Sequence, residues 1–531
     1  MNKLKKESKK FWYLDDKDKA KLNWGQLETF MVVNGWGYLQ LINSRSSKKT
    51  LFQNDNGILK LHSIDTAKKW LKDTISSLDD KEFTTGIFKP FPSNAIVPKV
   101  EVIELIMRFL SLENVLKSIQ VYSVQGYPDT SELNLFKDKQ DVAYVRFANG
   151  VVEITKSDIT CLPVDTLKDK GLVWETELLS HNITLQNKLE PPGIFEKFVI
   201  NAFKREKVEG KSFGADFEEN FELDEDQYRG YRESFGYLIH NHKKVDSLKC
   251  IIYIDSEGTF KQPEGRNGKT LLLKGLDYYK NTLELSGKKW SEDDKFQFSS
   301  VTPQTKFVLI NDLKEDFKFD TLFNVITDDM EIEGKGTNKT HIPKELSPKI
   351  AVSTNEVISG VGSSYSGRQH VVEFGNYWNR VNKLQESISD KKHLGKMIYK
   401  AGFNESDWDS FYNYGFRCVQ EFLKNGLTEA TNASYKKKSL IREIEGSSGD
   451  GELVEWIDDW IKNTRLQNNH NQGNGISKQE LYKIFIEDNP SLAEHMPKGW
   501  DSERFHKQLF HYVKITNGYY YNIHKSTNGD S

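Results

Sequence analysis

The chain has 531 residues, 37% hydrophobic, 12% aromatic and 28% charged, with 74 basic residues against 77 acidic ones and a net charge of −3. This length and aromatic content predict several packed domains and exclude wholesale disorder, and the charge balance excludes global attraction to nucleic acid, so any such contact must be local. Cys161, Cys250 and Cys418 lie too far apart for a disulfide framework or a thiolate zinc site and fit a reducing, cytoplasmic setting; no apolar run reaches the ~20 residues of a membrane helix.

The first residues, "MNKLKKESKKFWYL", carry lysines without an apolar stretch and are not read as a secretory signal. Residues 1–95 form an N-terminal α+β region of no assigned function: "GYLQLI" and "TLFQN" predict strands, and "DTAKKWLKDTISSL" an amphipathic helix. Residues 96–192 form a second α+β unit. It opens on the helical "KVEVIELIMRFLSLENVLKSI", and "VAYVRFANGVVEIT" predicts two strands turning at Asn149-Gly150. Pro191-Pro192 punctuates the chain, and a helical, mostly charged stretch runs on to His242.

From about 193 to 385 the pattern is α/β. "SLKCIIYIDSEG", "TKFVLIND" and "KIAVSTNEV" are apolar runs of the kind found in buried parallel strands, and "TLLLKGLDYYKNTL" after the first of them predicts a helix. Residues 386–462 read as helical, and "NTRLQNNHNQGNG" (463–475) as a linker. In 476–531, Ser477 and Glu480 form a capping box, "DSERFHKQLFHYV" gives a second helix bearing Arg504 and Lys507, and Asn517-Gly518 marks a hairpin. Helix, helix, hairpin is the order of a winged helix, whose second helix commonly enters the DNA major groove.

Two Gly-Lys-Ser/Thr triplets compete as phosphate-binding loops, where chance alone supplies roughly 0.3 in a chain of this size. Such a loop needs a strand before it and a helix after it. Its backbone N–H groups then cradle phosphate, its Lys reaches the β/γ-phosphates and its hydroxyl binds magnesium. Gly210-Lys211-Ser212 follows a charged helical run and fails. Gly268-Lys269-Thr270 sits between the Ile-rich strand and "LLLKGL" and passes, with Gly265 and Asn267 as its flexible positions. Pro263 stands where the full pattern has its first glycine, so the loop entry differs. The further candidates are Asp312, at the end of "KFVLIND" 43 residues after Lys269, Asn355 in "STN", and Arg368 before a fourth apolar run.

In that order, "GRNGKT", "FVLINDL", "ITDDMEIEGKGTNKTHIP", "PKIAVSTNEV" and "GRQHVVEF" resemble the superfamily 3 helicases, a branch of AAA+ ATPases from viruses, phages and plasmids. The likeness is strongest to the helicase part of phage and poxvirus-type primase-helicases. It spans roughly residues 100 to 385, with "VAYVRFANGVVEI" resembling the unit before the helicase. It implies an AAA+-type P-loop core and a ring-forming, ATP-dependent DNA helicase for replication of a phage or mobile element, in the host cytoplasm.

It also implies roles. Lys269 and Thr270 bind ATP and magnesium (Mg2+), Asp312 is the strand-end acid that shares the metal, and Asn355 is the sensor. Arg368 is the finger reaching a neighbour's ATP in a homo-oligomeric, hexameric ring. Lys335, Lys339 and His341 form a hairpin that grips single-stranded or forked DNA. The family has two strand-end acids; the first is Asn311 here, which leaves Asp312 and Glu315 as candidates to activate water. Residues 1–190 show no Asp-x-Asp pattern in a fitting strand and no zinc-ligand cysteines, so the chain is not read as a primase or polymerase itself; a separate primase or polymerase is one expected partner. The alternative from another class is an AAA+ regulatory or defence ATPase that oligomerises on nucleotide without unwinding.

Overall fold

The computed structural model describes residues 11–15, 17, 19–40, 49–78, 99–108, 121–123, 131–207, 218–243, 248–256, 266–291, 294–314, 317–334, 340–358, 363–383, 399, 402–432, 435–439, 441, 454–456, 459, 478–489 and 505–506. The 210–212 triplet, Gly265, Glu315, Lys335, Lys339, Arg504, Lys507, the 463–475 linker and the expected 517–518 hairpin lie outside them.

The chain's centre is a five-stranded, wholly parallel sheet. Its strands are β1 (Cys250–Asp255), β2 (Thr282–Ser286), β3 (Phe307–Asn311), β4 (Lys349–Thr354) and β5 (Gln369–Phe374), in the spatial order β2-β3-β4-β1-β5. Helices α1 (Ile194–Ala202), α2 (Glu225–Ile239), α3 (Lys269–Lys274), α4 (Tyr377–Lys383) and α5 (Glu405–Asn425) accompany it.

Both faces of the sheet are covered, which is why its inner strands read as unbroken apolar runs. Ile251, Tyr253, Leu309, Ala351 and Phe374 turn towards α1, α2 and α5. Cys250, Ile252, Ile310, Ile350 and Val352 turn the other way, onto the 313–346 segment and onto Leu59 and Trp174 from nearer the N-terminus.

One expectation fails here. The apolar spacing of 270–283 predicts a single helix, but α3 ends at Lys274, a 3-10 turn covers Gly275–Tyr278, and Thr282–Ser286 is strand β2. As the sheet's edge strand, β2 is only partly buried and lacks the Ile/Val run of its neighbours. The charged stretch before β1 is not continuous helix either: α1 and α2 are separated by the paired strands Lys204–Glu206 and Phe221–Leu223.

Upstream, a six-stranded sheet orders Val173–Trp174, Ile58–His62, Lys49–Asp55, Trp36–Gln40, Val121–Ser123 and Ser131–Glu132. It takes strands from both sides of residue 95, so one sheet spans that expected boundary. A four-stranded sheet holds the expected hairpin, with Ala143–Phe147 paired to Gly150–Ile154 and Phe147 opposite Gly150. Its Phe147, Val152 and Ile154 join the α1/α2/α5 core. Near the C-terminus, Phe485 of the helix Lys478–Asp488 stacks on Phe505 at 4.7 Å, and Trp456 packs edge-on against Phe485. Among the described residues no helix is long and apolar enough to cross a membrane.

Two buried histidines make stability depend on pH. Burial pushes His240 and His370 down to about 4. Desolvation is the main cause in both, so the native state refuses protons that the unfolded chain accepts near 6.5. Stability present above that value is therefore lost as pH falls from about 6.5 towards 4, by ~2 kcal/mol per histidine between pH 7 and 5. Urea unfolding at the two pH values checks this: in His370→Gln the difference in unfolding free energy between them should shrink by that amount.

Candidate nucleotide-binding site

In an open parallel sheet, ligands settle at the carboxyl ends of the strands, where the strand order reverses. Here β1 lies between β4 and β5, and the chain leaves it for β2 at the far edge. A cleft of about 530 Å³ opens at this point, above the ends of β1, β3 and β4. Asn267, Gly268, Lys269, Thr270, Asp312 and Asn355 all line it, so six of the expected site residues meet in one place.

The loop's backbone is shaped for that position. Arg266 and Gly268 have positive φ, 72° and 95°. At Gly268 a side chain would be strained by that φ and would also meet the Phe198 ring, whose nearest atoms lie 2.9 Å from the Cβ position. Phe198 stacks on Trp378 at 4.5 Å, and the pair walls one side of the cleft. The Asn267 side chain accepts from the backbone N–H of Asn379 at 2.9 Å, tying the loop to α4.

Lys269 is the buried centre of the cleft, 6% exposed. Its Nζ donates to the carboxylate of Asp255, the last residue of β1, and to Asn355 Oδ1 at 2.6 Å. Burial pulls the Lys269 ammonium below its ordinary value and pushes the Asp255 carboxyl above its own, while their mutual attraction opposes both shifts. Lys269 is thus held by two partners from strand ends.

Thr270 turns to the other side. Its hydroxyl donates to Asn311 Oδ1 at 2.9 Å and lies 3.0 Å from the Ser353 hydroxyl. Asn311 in turn donates through Nδ2 to Glu284 at 3.0 Å, and Glu284 pairs with Lys274 at 3.0 Å. A carboxylate only accepts, so Glu284 fixes the Asn311 amide with its oxygen towards Thr270. Asp312 follows with φ of 60°, uncommon for a non-glycine residue though better tolerated by Asp and Asn than by most. Its N–H donates to the Ser353 carbonyl at 2.8 Å, and its carboxylate pairs with Lys288 at 2.6 Å.

The other candidates lie elsewhere. Arg368 precedes β5, whose Gln369 is level with Cys250 and whose Phe374 is level with Asp255. It therefore sits at the opposite edge of the sheet, roughly 17 Å away by strand rise, bonded to the Ser364 carbonyl at 3.0 Å and over the Phe323 ring at 4.6 Å. His341 lies in a hairpin in which Thr340–Ile342 pairs with Met330–Ile332, directly opposite Glu331. Lys335 and Lys339 fall between those two strands, outside the described residues.

Sequence reasoning did not single out Asp255, Ser353, Phe198 or Trp378. Asp255 left a trace as the acid closing the "IIYID" run and Ser353 as the first residue of "STN"; Phe198 and Trp378 have no signature apart from the fold.

No family model matches the chain, and no curated protein matches it. Among solved structures, it is similar to the A-form apo structure of the NrS-1 C-terminal region, with 11% identity over 84% of this chain and 83% of that one, at a TM-score of 0.36. It is also similar to two structures of the JCV helicase. One shows 15% identity over 36% of this chain and 60% of the helicase, at a TM-score of 0.20; the other shows 13% over 46% and 70%, at 0.21.

Gly268→Ala tests whether this loop conformation makes the site. The substitution should cost ~1–3 kcal/mol of stability through strain at the loop. It should also weaken binding of a fluorescent ATP analogue at least tenfold, whereas Gly426→Ala, at a positive-φ glycine in open space, should leave binding unchanged. Thermal melts and titrations of both variants give the comparison.

Proposed function

We propose that this chain is an ATP-dependent DNA helicase of superfamily 3 type, working as a ring of identical subunits. The observation that carries the reading is the convergence of Lys269, Thr270, Asp312 and Asn355 on one cleft at the carboxyl edge of a parallel sheet. Phosphoryl transfer asks mainly for positioning and charge stabilisation, and these side chains supply both.

Each residue has a definite task. Lys269 leaves Asp255 and Asn355 for the β/γ-phosphates of ATP. Asn355, released from Lys269, is free to orient the γ-phosphate or the attacking water. Asp312, or Glu315 three residues on, takes the water's proton. Thr270 and Asp312, with the Asn311 amide beside them, are the oxygen donors that would hold magnesium, an ion that commonly completes its shell with substrate phosphates and water. Once bound, magnesium neutralises charge on the transferring phosphoryl group.

Arg368, one strand length from its own cleft, suits a role at a neighbour's cleft. The 330–342 hairpin falls between β3 and β4 in the chain, where Lys335, Lys339 and His341 would meet a single strand through its phosphates. Residues 476–531, as a winged helix, would hold duplex through Arg504 and Lys507.

The chain should hydrolyse ATP and displace a strand from a forked duplex. Lys269→Ala should abolish both activities, and Lys211→Ala should leave both near wild type. Arg368→Ala should bind ATP normally and hydrolyse it at least a hundredfold more slowly. Mixing Arg368→Ala with Lys269→Ala subunits should restore part of the hydrolysis, because some clefts then receive both groups. No recovery at any mixing ratio would place Arg368 outside the reaction of a neighbour. Hydrolysis without strand displacement would instead mark a nucleotide-driven switch of the regulator class.

A further inference from the structure

A second cavity, of about 240 Å³, lies at the amino edge of the sheet, away from the nucleotide cleft. The core contributes Lys243, shortly after α2, Lys306, just before β3, and Lys349, which opens β4. The upstream region contributes Phe136, Arg146 and Glu177. The cavity therefore sits at the junction of the two regions.

Its charge does not balance. Lys243, Lys349 and Arg146 are 9%, 3% and 3% exposed, and Lys280, 5% exposed, lies close behind. Two acids, Asp138 and Glu177, offset part of this charge. Asp138 accepts from the backbone N–H groups of Tyr144 at 3.1 Å and Asn241 at 2.8 Å. Glu177 is shared between Arg146 at 3.5 Å and Lys306 at 3.2 Å. Among the described residues, Lys243, Lys280 and Lys349 have no carboxylate within ion-pair distance. Lys137, His242 and Glu345 form the more exposed rim.

Two of these amines have a structural task. Lys349 donates to the Tyr237 and His240 carbonyls, each at 2.7 Å, and Lys280 donates to the Leu238 carbonyl and to Asn241 Oδ1. They satisfy the free carbonyls at the end of α2. Lys243 has no such task. Among the described residues its one hydrogen-bond partner is the Ser347 hydroxyl at 2.6 Å, although an ammonium has three hydrogens to donate. Burial pulls Lys243 and Lys280 down to about 7, against the weaker attraction of Glu345 for the first and of Asp138 and Glu177 for the second. Both amines repel the charge on Lys349. A bound anion is what such a group of amines lacks: it would favour their charged forms and fill the open donor positions.

We propose that this cavity is a second anion site, binding a compact oxyanion of the phosphate class between Lys243, Lys306 and Arg146 and so fastening the upstream region to the ATPase core. Several donors converging from different elements suit a tetrahedral, multiply charged group. The volume falls below the roughly 300–1,000 Å³ of pockets for drug-sized ligands, which argues for phosphate or diphosphate rather than a whole nucleotide. The same chemistry could come from the free anion or from the terminal phosphate of a nucleic-acid strand.

The test uses the full chain carrying Lys269→Ala, so that phosphate binding in the nucleotide cleft is suppressed. Thermal midpoints are measured against pyrophosphate, inorganic phosphate, and 5′-phosphorylated and 5′-hydroxyl oligonucleotides, with ionic strength held constant by chloride. A saturable rise in midpoint is expected with at least one phosphate-bearing probe. A larger rise with the 5′-phosphorylated strand than with its 5′-hydroxyl counterpart identifies a strand end as the source; a rise with the free anions alone identifies those. Adding Lys243→Met should weaken the response at least tenfold, and Lys243→Arg should keep it. Lys306→Met provides a second variant, with the same loss expected, should Lys243→Met fail to fold. No rise with any phosphate probe, or an unchanged response in the folded Met variants, overturns the proposal.

Discussion

A buried ammonium at the carboxyl edge of a parallel sheet is the constraint from which the rest of the cleft follows. Lys269 cannot keep its charge in that position without partners, because desolvation of a lone buried ion outweighs most other local terms. Its partners are Asp255 from the end of β1 and Asn355 from just beyond β4. Both reach it because β1 and β4 are neighbours running in the same direction, with Ile254 level with Thr354. The parallel order thus brings together polar groups 100 residues apart in the chain, and the packed layers on both faces hold that order. Polar groups gather at the strand ends because there the apolar layers stop.

The two edges of the sheet use lysine in opposite ways. At the carboxyl edge, Lys269 is held by the side chains of Asp255 and Asn355. At the amino edge, Lys349 is held by backbone carbonyls at the end of α2, and Lys280 by one such carbonyl and by Asn241 Oδ1; those carbonyls cannot turn away without unwinding the helix end. Burial alone does not separate them, since all three lysines are almost fully enclosed. What separates them is that main-chain carbonyls hold Lys280 and Lys349, whereas both partners of Lys269 are side chains.

Legibility in the sequence follows the same physics. β1, β3 and β4 are visible as apolar runs because both of their faces are covered. β2 is not: at the edge of the sheet its Thr-Leu-Glu-Leu-Ser sequence is half-buried, and the preceding "LLLKGL" extends a helical pattern into it. The Asn149-Gly150 pair locates a hairpin, but Gly150 does not have the positive φ of a turn glycine. A side chain there would instead lie 2.6 Å from Cys161 Sγ and 2.8 Å from the Leu162 carbonyl, so its reason is the adjoining strand. Lys269, Thr270, Asp312 and Asn355 are legible because motif spacing survives in one dimension. Asp255 and Trp378 are not, because only the tertiary fold makes them neighbours of the loop.

Asn311 shows how a departure from a motif can be consistent with its surroundings. A second acid at this position would lie within hydrogen-bond distance of the Glu284 carboxylate, and two like charges so close disfavour one another's ionisation. An amide removes the conflict. It donates to Glu284 and presents an oxygen to Thr270, so Glu284, itself paired with Lys274, orients the group that orients the threonine. The acid that lines the cleft at this corner is then Asp312, one residue further along, where a positive φ turns the chain as it leaves β3. Substituting Asn311 by Asp would bring back the repulsion unless Glu284 changed with it. The neutral residue is therefore tied to the acid on the adjacent edge strand, and the two positions are best understood as one unit.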